Sequence, residues 1–121
     1  LPSPASHTGR SLLPILRGKP PKDWRRDFLC EFIAVPATIP RWEGVRDQEW
    51  LYARYFVDGP DQPPFEFVHD LRNDPQQLVN LAVLPSRDKG QAVTLTRLRK
   101  RCDELVAANG LRLQDLGSRK K

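Results

Sequence analysis

The stretch "EWLYARYFVD" (residues 49–58) constrains the fold more than any other part of the chain. It alternates like a β-strand, and large side chains fall on both sides of the alternation. Trp50, Tyr52, Arg54 and Phe56 share one face, and Leu51, Ala53, Tyr55 and Val57 share the other. Apolar groups on both faces predict a sheet packed on a helix on one side and on something else on the other.

The neighbouring segments supply the rest of a small sheet. "FLCEFIAV" (28–35) is rich in β-branched and aromatic residues and predicts a first strand. "PATIPRW" predicts a loop carrying Pro36 and Pro40. "EGVRD" predicts a strand joined to the 49–58 strand by a tight turn near Asp47 and Gln48, and Phe65 to His69 predicts a fourth strand. Beyond it, Asp74 fits as an N-cap, Pro75 as the first helical residue and Gln77 as the third residue of a capping box. That pattern predicts a short helix carrying Leu78, Leu81 and Ala82 on one face.

From about Arg87 to Asn109 the apolar residues Leu95, Leu98, Cys102 and Leu105 recur at spacings of three and four, which predicts the longest helix, stopped by Gly110. "LRLQDLG" adds a last strand or turn. Upstream, residues 1–11 are a Pro- and Ser-rich lead-in. "SLLPILRG" predicts a short helix capped by Ser11 and ended by Gly18, with Leu12, Leu13, Ile15 and Leu16 as apolar surface. The order of elements predicts an α+β fold, a small antiparallel sheet of about four strands packed against a C-terminal helix.

The chain has 121 residues, enough for one domain or a piece of a larger protein, and its mean hydropathy of −0.58 implies a modest core. It contains no Met, and the expectation is a fragment from which something upstream has been removed. No apolar run approaches the roughly 20 residues of a membrane span, and no export signal is visible. The net charge of +5 allows a polyanionic partner, but much of the excess lies in the terminal "SRKK". Cys30 and Cys102 sit in apolar patterns. They are either two buried thiols or one bridge in an exported chain.

Chemistry-bearing constellations are scarce. His69 and Asp70 are neighbours on a strand and so point to opposite faces, which rules them out as a direct dyad. "DGPDQ" (58–62) lacks the rest of a calcium loop, and no Gly-rich phosphate cradle or Ser-centred elbow occurs. "RLRKR" (97–101) has the look of a nucleic-acid patch out of context, but with Leu98 buried it is a solvated helix face, and no nucleic-acid-binding signature accompanies it. Residue by residue, this is a globular piece without its own active site.

Several segments in order carry a family resemblance. They are "GRSLLPILRG" (9–18), "WRRDFLCEF" (24–32), "IPRWEGVRDQEWLYARYF" (39–56) and "FEFVHDLRNDPQQLVNLA" (65–82), followed by "LRKRCDEL" (98–105). Together they resemble the C-terminal region of a type I, formylglycine-dependent sulfatase of the alkaline-phosphatase-like superfamily. Gly44-Val45-Arg46 match the family's hairpin motif, and Asp70-Leu71, Asp74-Pro75 and Asn80-Leu81 match its strand-end junction. Asp47 replaces the usual Thr, Arg54 stands near a Lys-Tyr-Ile preference, and His69 replaces a common Tyr.

The resemblance implies that residues 1–27 are the tail of the catalytic domain with a connector, and that residues 28–121 are a C-terminal α+β subdomain. It implies an exported parent enzyme that hydrolyses sulfate esters, with a sulfated carbohydrate as substrate and an N-terminal sulfatase catalytic domain as partner. The formylglycine nucleophile and the calcium ion belong to that upstream part. Neither Cys30 nor Cys102 lies in the C/S-x-P-x-R motif that formylglycine requires, so the fragment alone is expected to be inactive. The loop before "GVR" can approach the pocket rim, which makes Arg41 and Trp42 the candidate substrate-binding residues, Arg41 for an anionic group and Trp42 for a sugar face. Packing of Trp42 between sheet and parent domain is the competing role. The alternative for the whole chain is a stand-alone basic module binding polyanions such as sulfated glycans. An apolar surface orphaned by removal of the parent domain, with Leu12, Leu13, Ile15 and Leu16 as its candidates, leaves self-association of the fragment open.

Overall fold

The computed structural model describes residues 9–33, 39–57, 62–84 and 89–109. Four strands, β1 (Phe28–Phe32), β2 (Arg41–Arg46), β3 (Trp50–Phe56) and β4 (Phe65–Asp70), form one antiparallel sheet in sequential order. A short helix α1 (Leu13–Leu16) precedes the sheet and a long helix α2 (Lys89–Asn109) follows it. This is the expected α+β meander.

Each element follows from its residues. Pro14 sits in the first turn of α1 and Gly18 ends the segment at φ 70°, while the N-cap is Leu12 rather than the expected Ser11, whose Oγ accepts from the Leu13 N–H at 3.3 Å. The β2–β3 turn is closed by Asp47, whose Oδ1 accepts from the Glu49 and Trp50 N–H groups at 2.8 and 2.6 Å. This role needs only a short side-chain acceptor, so Asp serves where Thr is usual. α2 buries Leu95, Leu98, Cys102 and Val106, with Leu105 partly buried, against Val45, Tyr52 and Val68 of the sheet. The stripe thus turns one residue past the expected Leu105 to Val106.

Three boundaries differ from expectation. β1 ends at Phe32, before Ile33. β2 begins at Arg41, so Arg41 and Trp42 belong to a strand rather than a loop, drawn in by pairing with Phe56 and Tyr55. The short helix expected after Asp74 is absent. The Asp74 carboxylate accepts from Leu78 and Val79 N–H groups at 3.0 and 2.8 Å, too far along the chain for an N-cap, and Gln77 lies at φ 59°. A residue in the left-handed region interrupts a helix. Accordingly Leu78 is exposed while Ala82 is buried in the core. Gly110, the 111–117 segment, His7 and loop residues 58–61 lie outside the described residues.

Asn80 explains why the chain turns back here. Its Oδ1 accepts from Val68 and Ala82 N–H groups, both at 3.0 Å, and its Nδ2 donates to the Glu66 carbonyl at 2.9 Å. The Leu81 N–H donates to the Val68 carbonyl at 2.9 Å. One side chain therefore stands in for a fifth strand and occupies polar groups on the open edge of β4. The Asn-Leu pair of the junction is an edge seal.

At the centre of the sheet, Gly44 faces Cys30 and Ala53 across the strands. A Cβ there would run into the Tyr52 carbonyl oxygen and approach the Ala53 Cα to 3.0 Å. Gly44→Ala in the 121-residue chain should therefore lower the urea midpoint, costing on the order of 1–3 kcal/mol as overpacking does. Gly9→Ala, with nothing within 4 Å of its added Cβ, should leave it unchanged.

Candidate functional site: two unlike faces of one sheet

The register sorts side chains into two faces. On the face toward α2, Glu43, Arg54, Tyr52 and Glu66 form a polar layer around the apolar centre. The Arg54 Nε donates to the Glu43 Oε1 at 2.7 Å, and its Nη2 pairs with Asp103 of α2 at 2.8 Å. Glu43 is 3% exposed. Burial works against the Arg54 charge, but the bonds to Glu43 hold it protonated. The Tyr52 hydroxyl donates to the Glu66 Oε1 at 2.7 Å, and Arg99 of α2 donates to the same oxygen at 2.8 Å. Burial and that carboxylate push the Tyr52 phenol well above its usual range.

The arginines of "RLRKR" have specific partners. Arg97 reaches Asp47 at 3.4 Å, Arg99 reaches Glu66, and Arg101 clasps Asp27 through two bonds of 2.6 and 2.9 Å. The Arg101 hydrogen bond holds the Asp27 carboxyl below the usual carboxylate range. The basic run is a set of clips that fix α2 to the sheet, the connector and the β2–β3 turn. Cationic groups already matched to carboxylates are poor free anchors for a polyanion.

On the opposite face the side chains are aromatic. Trp42 stacks on Tyr55 with ring centroids 5.7 Å apart and planes at 26°. Tyr55 meets Phe67 edge-on at 5.2 Å and 69°, and Phe67 meets Phe65 at 5.0 Å and 71°. Phe67 also stacks on His69. These rings form one continuous row over β2, β3 and β4. The sequence shows alternation strand by strand, and the pairing register was the missing information that joins the rings. His69 is 8% exposed and its Nδ1 lies 2.9 Å from the Val79 carbonyl, which fixes it as a structural residue of the junction.

The candidate residues Arg41 and Trp42 stand at the start of β2. Their alternate register places Trp42 in the aromatic row and Arg41 on the α2 side. Both cysteines are free. Cys102 is on the sheet-facing stripe of α2 and Cys30 shares the aromatic face by register, so the sheet separates them. Burial raises both thiols, Cys102 to about 12, which makes them poor nucleophiles. Among the described residues no three His, Cys, Asp or Glu side chains group to hold a metal ion, and no helix is long and apolar enough to cross a membrane. The described part of this chain therefore offers no cradle for the calcium that the resemblance implies.

An α+β domain with paired catalytic carboxylates, a metal cluster or an activated thiol would be a candidate enzyme, and this one carries none of these among its described residues. Among the described residues, α2 covers one face of the sheet and the opposite face carries the aromatic row. The family model for the C-terminal part of N-sulphoglucosamine sulphohydrolase matches residues 1–107. The chain belongs to that family and is a sulfatase C-terminal region. Comparison with the curated proteins finds no match. Among solved structures, it resembles BT4656 in complex with its substrate D-glucosamine-2-N,6-O-disulfate, with a TM-score of 0.71 and 22% identity. The match covers 88% of this chain and 21% of that one, so the chain spans about a fifth of that protein's length. The likeness extends to the fold.

The Glu43–Arg54 pair generates a stability test. Arg54→Met should destabilise the chain by about 3–5 kcal/mol in urea denaturation, because it strands a buried carboxylate. The double variant Glu43→Leu/Arg54→Met should recover most of that loss, and an equally unstable double variant would show that the pair matters for packing rather than charge.

Proposed function

We propose that this chain is the C-terminal subdomain of an exported sulfatase that hydrolyses sulfate esters of a sulfated carbohydrate, within the sulfated-glucosamine class. The match of the family model over residues 1–107 carries this reading. The sulfated glucosamine bound by the structural neighbour supports the substrate class. In this reading residues 1–27 are the tail of the catalytic domain and its connector, and residues 28–121 are the subdomain. The exposed Leu12, Leu13, Ile15 and Leu16 of the α1 segment fit a surface that belongs against that catalytic domain.

The chemistry is assigned to the catalytic domain. Formylglycine and calcium there would supply the nucleophile and the neutralisation of sulfate oxygens. The subdomain's contribution is structural and pocket-completing. Arg41 and Trp42, at the mouth of β2, are assigned to the substrate rim, Arg41 toward an anionic substituent and Trp42 toward a sugar face. The carboxylate pairing of Arg97, Arg99 and Arg101 argues against the alternative of a stand-alone polyanion module.

The full-length enzyme should release sulfate from a sulfated glucosamine saccharide, and the 121-residue chain alone should not. Arg41→Ala and Trp42→Ala should each lower kcat/KM for that saccharide, by roughly tenfold where a charge-assisted or stacking contact of 1–2 kcal/mol is lost. Unchanged kinetics in stably folded variants would remove both residues from the rim, and absence of sulfate release by the full-length wild type would overturn the assignment itself.

A further inference from the structure

The connector that leads from α1 into β1 carries five cations within ten residues, Arg17, Lys19, Lys22, Arg25 and Arg26, and all five are exposed. Two acids lie among and beside them, and both are taken by arginines from outside the run. Arg10 donates to the Asp23 carbonyl at 2.9 Å and to its Oδ1 at 3.1 Å, with its guanidinium over the Trp24 ring at 5.1 Å. Arg101 of α2 clasps Asp27. Among the described residues none of the five cations meets a carboxylate, and Arg25 lies over the Phe28 ring at 5.8 Å. Elsewhere Arg54, Arg72, Arg97 and Arg99 each meet one. The run is also held in place by its backbone. The Gly18 and Lys19 N–H groups donate to the Ile15 and Pro14 carbonyls at 2.9 and 2.8 Å, and the Trp24 N–H donates to the Pro21 carbonyl at 3.1 Å. Between these bonds Pro20 and Pro21 fix φ at two consecutive residues.

We propose that this connector run is a binding site for a sulfated polysaccharide chain, which it engages through several sulfate groups at once. The inference rests on the functional reading above and adds that the enzyme holds a polymer, by residues it does not share with the Arg41–Trp42 rim. Charge complementarity chooses the occupant. Cations without an acid partner are stable only in water or against anions, because burying them unpaired is costly. A sulfated polymer presents anions at intervals along a line, and a fixed row of ammonium and guanidinium groups gains by releasing its condensed counterions. A backbone already tied by hydrogen bonds and prolines has less freedom to lose on binding. The run differs from the α2 arginines, whose charges are already matched to carboxylates. It also lacks a free ring, since Arg10 covers Trp24 and Arg25 covers Phe28, which disfavours a single-stranded nucleic acid that needs stacking platforms. The adjoining α1 has only four residues, too few for a helix that lies in a membrane surface.

The test titrates heparin, a sulfated glucosamine polymer, into the full-length sulfatase at several salt concentrations. Lys19→Gln/Lys22→Gln should weaken heparin binding roughly tenfold and make the dependence of log Kd on log salt shallower by about 1.5, at about 0.7–0.9 for each cation removed. The charge-matched Lys89→Gln/Lys100→Gln, which removes two exposed cations of α2, should leave affinity and slope near wild type. Equal weakening by the two variants would overturn the proposal. So would wild-type affinity in Lys19→Gln/Lys22→Gln, the result expected if acids of the parent protein already occupy the run. Phosphatidylserine vesicles bound as tightly as heparin through the same two lysines would overturn it in favour of a membrane surface. The kcat/KM for a sulfated glucosamine disaccharide should be the same in Lys19→Gln/Lys22→Gln as in wild type, and a loss there would place the lysines at the rim and overturn the polymer site. Sulfate release from that disaccharide by the wild type separates the two readings: its absence strikes the functional reading, whereas release with unchanged heparin binding in the variant strikes this inference alone.

Discussion

A four-stranded sheet has two faces, and among the described residues one long helix, α2, packs on it. That imbalance governs the structure. α2 fills the first face with Leu95, Leu98, Cys102 and Val106 and is then pinned by arginine–carboxylate pairs at its flanks. The pairs at the rim are half-exposed and contribute little individually. Their value is positional, since they hold the helix in the one register that keeps Cys102 and Leu98 at 0% exposure. The buried Glu43–Arg54 pair is different in kind. It lies inside that contact, where either partner alone would be a desolvated charge.

The second face inherits the consequence. Nothing in the described chain lies over the aromatic row with the area of a helix, so the rings cover one another. Edge-to-face packing is how aromatic rings lower their exposure without a partner layer. The small floor at Gly44 and Ala53 permits close strand approach and leaves the ring rows standing above it.

Much of this was legible in the sequence. Alternation in residues 49–58 showed that both faces are apolar, and the three- and four-residue spacing of Leu95, Leu98 and Cys102 placed α2. What the sequence concealed was pairing. Arg41 and Trp42 lie between prolines and β-strand residues, and only their partners Phe56 and Tyr55 decide that they are strand. The Asp74-Pro75 signature misled because a carboxylate that can cap a helix can equally close a wider turn. Here the edge of β4 competes for the same segment, and Asn80 wins it by satisfying three backbone groups at once. Local propensity is a weak prior where a sheet edge offers several hydrogen bonds to one side chain.

The same competition shapes the whole junction. Asp70 organises the end of β4 by accepting from Arg72 and Asn73 N–H groups at 3.0 and 3.2 Å, and Asp74 holds the turn that follows. Asn80 returns the chain to the strand it has just left. Asp70 and Asp74 thus hold the turn, and Asn80 covers part of the β4 edge, one of the sheet's two edges, β1 being the other. Strand addition at β4 is blocked where Asn80 and Leu81 already occupy the Val68 N–H and carbonyl.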